Sequence, residues 1–216
     1  MFILNMSLKE RIIEKSVLLF NEKGFFNVSI QEIAKSLEIS PGNLTYHFPK
    51  KEHLLELIQQ RIIDRPGKPI MPGDRAPDLR HLEAIFKEFF AVQREFSFFF
   101  TNLPYLQHEY PGILSQYEAV SLQRLNEART LVDAYVRSGW LKYEDDVVNH
   151  ETLIKNIWIS NTFWQLQSAL LGGRNEFEEA MYHVWSTLLP YLTDQGLQEY
   201  YQINAIQKQK NSNGRT

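Results

Sequence analysis

The chain has 216 residues, contains no cysteine and carries a formal net charge of −3. That length can bury a small module beside one larger core, and the lack of cysteine excludes disulfides and thiolate metal sites. The weakly acidic balance excludes a protein that coats nucleic acid through bulk positive charge, and no run approaches the about 20 apolar residues of a membrane-spanning helix.

In chain order, Leu8 to Lys23 is an amphipathic helix with Ile12, Ile13, Ser16, Val17, Leu19 and Phe20 on one stripe, stopped by Gly24. A second helix starts at Ser29, whose hydroxyl can cap the first turn, with Glu32 three residues on to complete a capping box. Ile30, Ile33, Ala34 and Leu37 share its inner face. A third helix repeats the device: Ser40 caps, Pro41 takes the first helical position, and Leu44 and Phe48 turn inward. Asn43, Thr45, Tyr46 and His47 are left outside. Two short helices joined this way have the shape of a helix-turn-helix, whose second helix enters the DNA major groove. No acidic residue lies between Ile39 and Lys51, while His47, Lys50 and Lys51 cluster, so a local positive patch fits a globally acidic chain.

A helix from Lys50 or Lys51 to about Asp64 carries Leu54, Leu55, Ile58, Ile62 and Ile63 and is the natural lever between this head and the rest of the chain. From Arg65 to Asp78, four prolines and two glycines mark a domain boundary. Beyond it the pattern is helical throughout: Leu79 to Phe100, a break near Pro104, Pro111 to Ser138 ending at Gly139, and Val147 to Leu171 behind Asp145 and Asp146. Asn175 can cap a helix from Glu176 to Leu189, and Thr193 a last one to about Ala205. The Gln-, Asn- and Lys-rich tail 206–216 reads as frayed.

Ile12, Phe20, Gly24, Phe25, Ser29, Ile33, Ala34, Ser40, Gly42, Leu44, His47, Phe48, Lys51 and Leu54 together resemble the N-terminal pattern of the tetracycline-repressor (TetR) family of bacterial regulators. The match runs from about Arg11 to Leu55. Two positions depart from it: Glu38 stands where the family usually has Gly in the turn, and Thr45 where it usually has Tyr. The resemblance implies an all-α protein, with a three-helix DNA-binding head and linking helix over residues 8–64 and a larger ligand-binding and dimerisation domain over 65–205. It implies a homodimeric, ligand-responsive regulator, most often a repressor, on a palindromic operator.

On that reading Ser29, Thr45, His47 and Lys51 contact phosphates, Ser40 directs capped amides toward them, and Pro41, Gly42, Asn43 and Tyr46 approach the bases. Phe89, Gln93, Phe96, Asn102, Tyr105, His108, Asn161 and Gln165 are candidates for an apolar pocket with a few polar groups, holding an apolar or aromatic effector. Trp158, Phe163, Trp164, Met181 and Trp185 are candidate dimer anchors, with core packing the alternative for each. The aromatic run Phe96 to Phe100 fits either a buried helix or a pocket wall.

No Gly-rich phosphate loop, nucleophile elbow or paired-histidine motif is present, so neither an enzyme nor a metal or organic cofactor is expected. The expected location is the cytoplasm. The competing reading is a helical small-molecule or lipid carrier whose head no longer reads DNA, prompted by Glu38, Thr45 and the aromatic content.

Overall fold

The computed structural model describes residues 6–65, 77–172 and 177–213, with side chains described up to Asn204 apart from Leu114. Among these residues the regular structure is helical, and one isolated antiparallel bridge pairs Leu141 with Leu192. The helices are α1 Leu8–Lys23, α2 Ile30–Ser36, α3 Pro41–His47, α4 Lys51–Asp64, α5 Leu79–Glu95 and α6 Ser97–Thr101. They continue with α7 Leu103–Glu109, α8 Pro111–Arg137, α9 His150–Leu170, α10 Phe177–Leu188 and α11 Asp194–Asn213. Two compact units result, one within Met1–Pro66 and Val92–Val120, the other within Gly67–Ala91 and Ser121–Thr216.

In the first unit the apolar stripes of α1 to α4 close on one another, and Ile12, Phe20, Phe25, Ile33, Leu44, Phe48, Leu54, Leu55 and Ile58 are all buried. The helix ends follow local chemistry. Ser7 and Glu10 form a reciprocal capping box at α1, which the sequence reading did not single out. The box expected at Ser29 is only half made: Ser29 Oγ accepts the Glu32 N–H at 3.1 Å, but the Glu32 carboxylate turns to Lys23 Nζ at 2.5 Å. That ammonium holds the Glu32 carboxyl below its usual range. Glu38, in the turn between α2 and α3, has φ 58°, the left-handed region that glycine tolerates best.

The helix expected from Leu79 to Phe100 breaks at Phe96 and resumes as α6. The run Phe96 to Phe100 is core: Phe96, Phe98, Phe99 and Phe100 are buried, and the Phe98 ring lies 5.1 Å from Phe20 and 6.0 Å from Phe25.

The second unit is built on Leu79, Leu131, Tyr135, Leu153, Met181, Val184, Trp185, Leu188 and Ile203. Asp78 caps α5, its carboxylate accepting the His81 N–H at 2.7 Å, and its carbonyl accepts the Tyr135 hydroxyl at 2.9 Å. The boundary prolines before Pro77 lie outside the described residues, as does Asn175. α9 begins later than expected because the Asp145 carboxylate closes a turn on the N–H groups of Val147 and Val148, and Asn149 takes the cap, accepting from the Thr152 N–H at 2.7 Å. Thr193 caps α11, accepting the Gly196 N–H at 3.1 Å. Gly196 is required there, since a Cβ would stand 2.3 Å from the Trp140 carbonyl oxygen. α11 continues to Asn213, so the helix extends through most of the segment expected to fray.

Candidate nucleic-acid interface

The site expected at α3 is assembled by its cap and two anchors. Ser40 Oγ accepts the Asn43 N–H at 3.1 Å, Pro41 fills the first turn, and Leu44 and Phe48 are buried in the core of the first unit. With that face committed, Pro41, Gly42, Asn43, Thr45 and Tyr46 are exposed, Tyr46 at 83%, and His47 is half-buried. The Tyr46 and His47 rings stand edge to face at 5.3 Å, which holds both to one side of the helix. Ser29 and Ser40 each use an oxygen lone pair in capping, and each hydroxyl proton is then available to donate toward an anion.

Two candidates are placed differently from the expectation. Thr45 Oγ1 donates back into its own helix, with the carbonyls of Pro41 and Gly42 at 3.0 and 3.1 Å. A hydroxyl has one proton, so in this arrangement Thr45 has none to offer a phosphate. Lys51 is half-buried, with its ammonium turned inward. Its ammonium donates to the Phe25 carbonyl and lies over the rings of Phe25 and Phe20, 4.0 and 5.2 Å from their centroids. Partial burial lowers its pKa to about 8. A cation at the first position of α4 is disfavoured by the helix dipole, and an aromatic seat with a carbonyl acceptor offsets that cost.

The pocket candidates divide between the units. Phe89, Asn161 and Gln165 belong to the second, where Gln165 is buried and the other two partly so. Gln93, Phe96, Asn102, Tyr105 and His108 belong to the first. Gln93 is fully buried, and Phe96 lines a groove of about 570 Å³ with Ile13, Leu57 and Arg61. Asn102 Nδ2 donates to the Phe98 carbonyl at 2.7 Å, a local helix-end bond. Tyr105 is 44% exposed and packs on Phe26, and His108 is exposed beside the Glu109 carboxylate at 2.8 Å.

For three of the dimer-anchor candidates the fold favours the core alternative. Trp164, Met181 and Trp185 are buried inside their own chain, Trp164 against Phe90 and the other two in the main core of the second unit, while Trp158 is half-buried. The apolar residues left outside on the same helices are Ile159, Phe163 and Leu170 of α9, at i, i+4 and i+11, and Tyr182 of α10. Phe163 is among the anchor candidates read from the sequence by bulk; Ile159, Leu170 and Tyr182 stand out only through their helical phase once the fold is known.

Among the described residues, no group of acidic and histidine side chains could hold a metal ion, and no helix is long and apolar enough to cross a membrane.

Comparisons with known proteins give the family. A family model described as a bacterial transcriptional repressor matches residues 69–200, and another, described as bacterial regulatory proteins of the tetR family, matches residues 12–58. The biofilm-operon negative transcriptional regulator IcaR of Staphylococcus aureus (strain Newman) is 23% identical over 189 residues, covering 84% of this chain and 99% of that protein. The probable HTH-type regulator YttP of Bacillus subtilis (strain 168) is 43% identical over 53 residues, which span 24% of this chain and 26% of that protein. The crystal structure of a TetR-family transcriptional regulator from Marinobacter aquaeolei VT8 matches with a TM-score of 0.82 at 25% identity, covering 91% of this chain and 97% of that one. With family models matched on both the head and most of the remainder, the chain belongs to the TetR family of bacterial transcriptional regulators.

Proposed function

We propose that the protein is a homodimeric repressor that binds a roughly palindromic operator through α3 and releases it when an effector binds the second unit. The observation that carries the reading is the division of α3: Leu44 and Phe48 are buried while Asn43, Thr45 and Tyr46 are presented to solvent. Asn43 has the donor and acceptor pair suited to an adenine edge, and Tyr46 can offer a hydroxyl to a base edge or phosphate. That IcaR is a negative regulator supports repression rather than activation.

Dimerisation is supported by the exposed Ile159, Phe163, Leu170 and Tyr182, which lie on two helices that pack together. A two-fold pairing through this face would bury the apolar stripe against its own copy. Two copies of α3 would then need to stand about 34–36 Å apart to enter successive major grooves.

Effector response needs an element with two arrangements, and α4 is the proposed one. His53 Nδ1 and Gln59 Nε2 on α4 are buried without a hydrogen-bond partner among the described residues. Such atoms cost about 1–3 kcal/mol each, a penalty that a second arrangement of α4 could relieve. In the second unit the buried indole N–H of Trp164 also has no partner among the described residues, which supports an effector carrying an acceptor oxygen near Trp164 and Phe90.

Selection of bound sequences from a random duplex pool tests the reading. A two-fold symmetric site should enrich with the purified protein. No enrichment, with or without added cell extract, would contradict it.

A further inference from the structure

The aromatic cluster of the first unit contains a cation that the resemblance assigns to DNA. Lys51 lies just past the α3–α4 corner, three positions after buried Phe48 and at the first residue of α4. Its ammonium is seated between the Phe25 carbonyl and the faces of Phe25 and Phe20. The same two rings meet Phe98 of α6, 5.1 Å from Phe20 and 6.0 Å from Phe25, and Tyr110 meets Phe25 edge-on at 6.1 Å. α6 is itself fastened to α1, because Asn21 Oδ1 accepts the Phe98 N–H and the Ser97 hydroxyl, each at 3.0 Å, while Asn21 Nδ2 donates to the Glu95 carbonyl at 2.7 Å. These contacts form one continuous packed path within the first unit, from α6 through Phe98, Phe25 and Phe20 to the start of α4.

We infer that Lys51 is a positioning residue for operator binding: its half-buried ammonium ties the α3–α4 corner to the Phe20–Phe25–Phe98 cluster, and so fixes how α3 is presented, without itself touching a phosphate. This rests on the operator-binding reading. The geometry favours a strut over a phosphate contact for two reasons. The ammonium already has a carbonyl acceptor and two ring faces, so reaching DNA would forfeit all three. A flexible lysine stem that served only as a surface point charge would also gain nothing from lying inward across two buried rings.

The test compares Lys51→Met, Lys51→Arg and wild type on the enriched duplex, measuring affinity across a salt series. Methionine keeps a flexible stem in the apolar seat but has no cation. Arginine keeps a permanent charge for a phosphate, while its guanidinium is bulkier than the ammonium and overpacks a seat formed by one carbonyl and the buried Phe20 and Phe25 rings. As a strut, both variants should bind roughly tenfold more weakly with the salt slope unchanged. Phe98→Leu should weaken binding in a non-additive way with Lys51→Met, whereas Tyr46→Ala should combine additively with it. Near-wild-type binding by Lys51→Arg, with a salt slope smaller by about one in Lys51→Met, would overturn the proposal and return Lys51 to the phosphate contacts. If Lys51→Met does not fold, Lys51→Arg alone decides: rescue overturns the strut, and loss at an unchanged slope supports it. A wild-type protein that binds no duplex would instead refute the operator-binding reading.

Discussion

The side-chain oxygen of Asn21 on α1 accepts the main-chain N–H of Phe98 on α6 at 3.0 Å. The first N–H groups of a helix have no partner within it, and α6 has no side-chain cap of its own, so a residue 77 positions away supplies one. Asn21→Ala should therefore cost about 1–3 kcal/mol by orphaning the Phe98 N–H. In a chain of this size that corresponds to a fall in melting temperature of about 2–4 °C per kcal/mol. Asn21→Asp retains the acceptor but sets a carboxylate oxygen against the Glu95 carbonyl in place of the amide donor, so it should keep the Phe98 bond and still fall below wild type in a urea titration.

Lys51 gives a pH dependence whose sign is set by its seat. Burial lowers its folded-state pKa to about 8, against 10.5 for the free side chain. Between those values the unfolded chain binds more protons than the folded one, so this group makes folding stability rise with pH from about 8 towards 10.5. Below that window both states are protonated and the contribution is flat. Urea midpoints of wild type and Lys51→Met near neutral pH and again between the two pKa values isolate the effect, since the other titrating groups are common to both proteins. The stability of wild type relative to the variant should be greater at the higher pH.

The exposed stripe of α9 predicts how the protein assembles. Ile159→Glu combined with Phe163→Lys should shift sedimentation from dimer to monomer while leaving helicity intact, because both side chains are exposed in the single chain, at 57% and 43%. Trp185→Ala should instead destabilise the fold by about 3–5 kcal/mol, as its side chain is buried in the core of the second unit. A double variant that remained dimeric would move the interface elsewhere.

Much of this was legible in the residues. α1, α3 and α4 begin and end where stripe, cap and stop signals put them, because each end is decided by neighbours in sequence: Gly24, the Ser40–Pro41 pair, and the Phe48–Pro49 corner. The break at Phe96 was not legible, since no proline or glycine marks it and the bonds that hold it come from Asn21 on α1. The inward turn of Lys51 was hidden for the same reason: its partners, Phe20 and Phe25, lie 31 and 26 positions earlier and meet it only through tertiary packing. For the dimer face, periodicity marked α9 as helical, but its apolar residues occupy both faces, and only the fold shows that Trp164 is inside and Ile159 outside.

Whether α3 reads the operator is decided most directly by the affinity of wild type and Tyr46→Ala for the enriched duplex and for an unrelated duplex of equal length. Tyr46 is 83% exposed on α3, so its removal should leave melting temperature and dimerisation unchanged. Tyr46→Ala should bind the enriched duplex roughly tenfold more weakly while its affinity for the unrelated duplex changes little. Equal affinity of wild type and variant for the enriched duplex would mean that the exposed face of α3 does not read the operator.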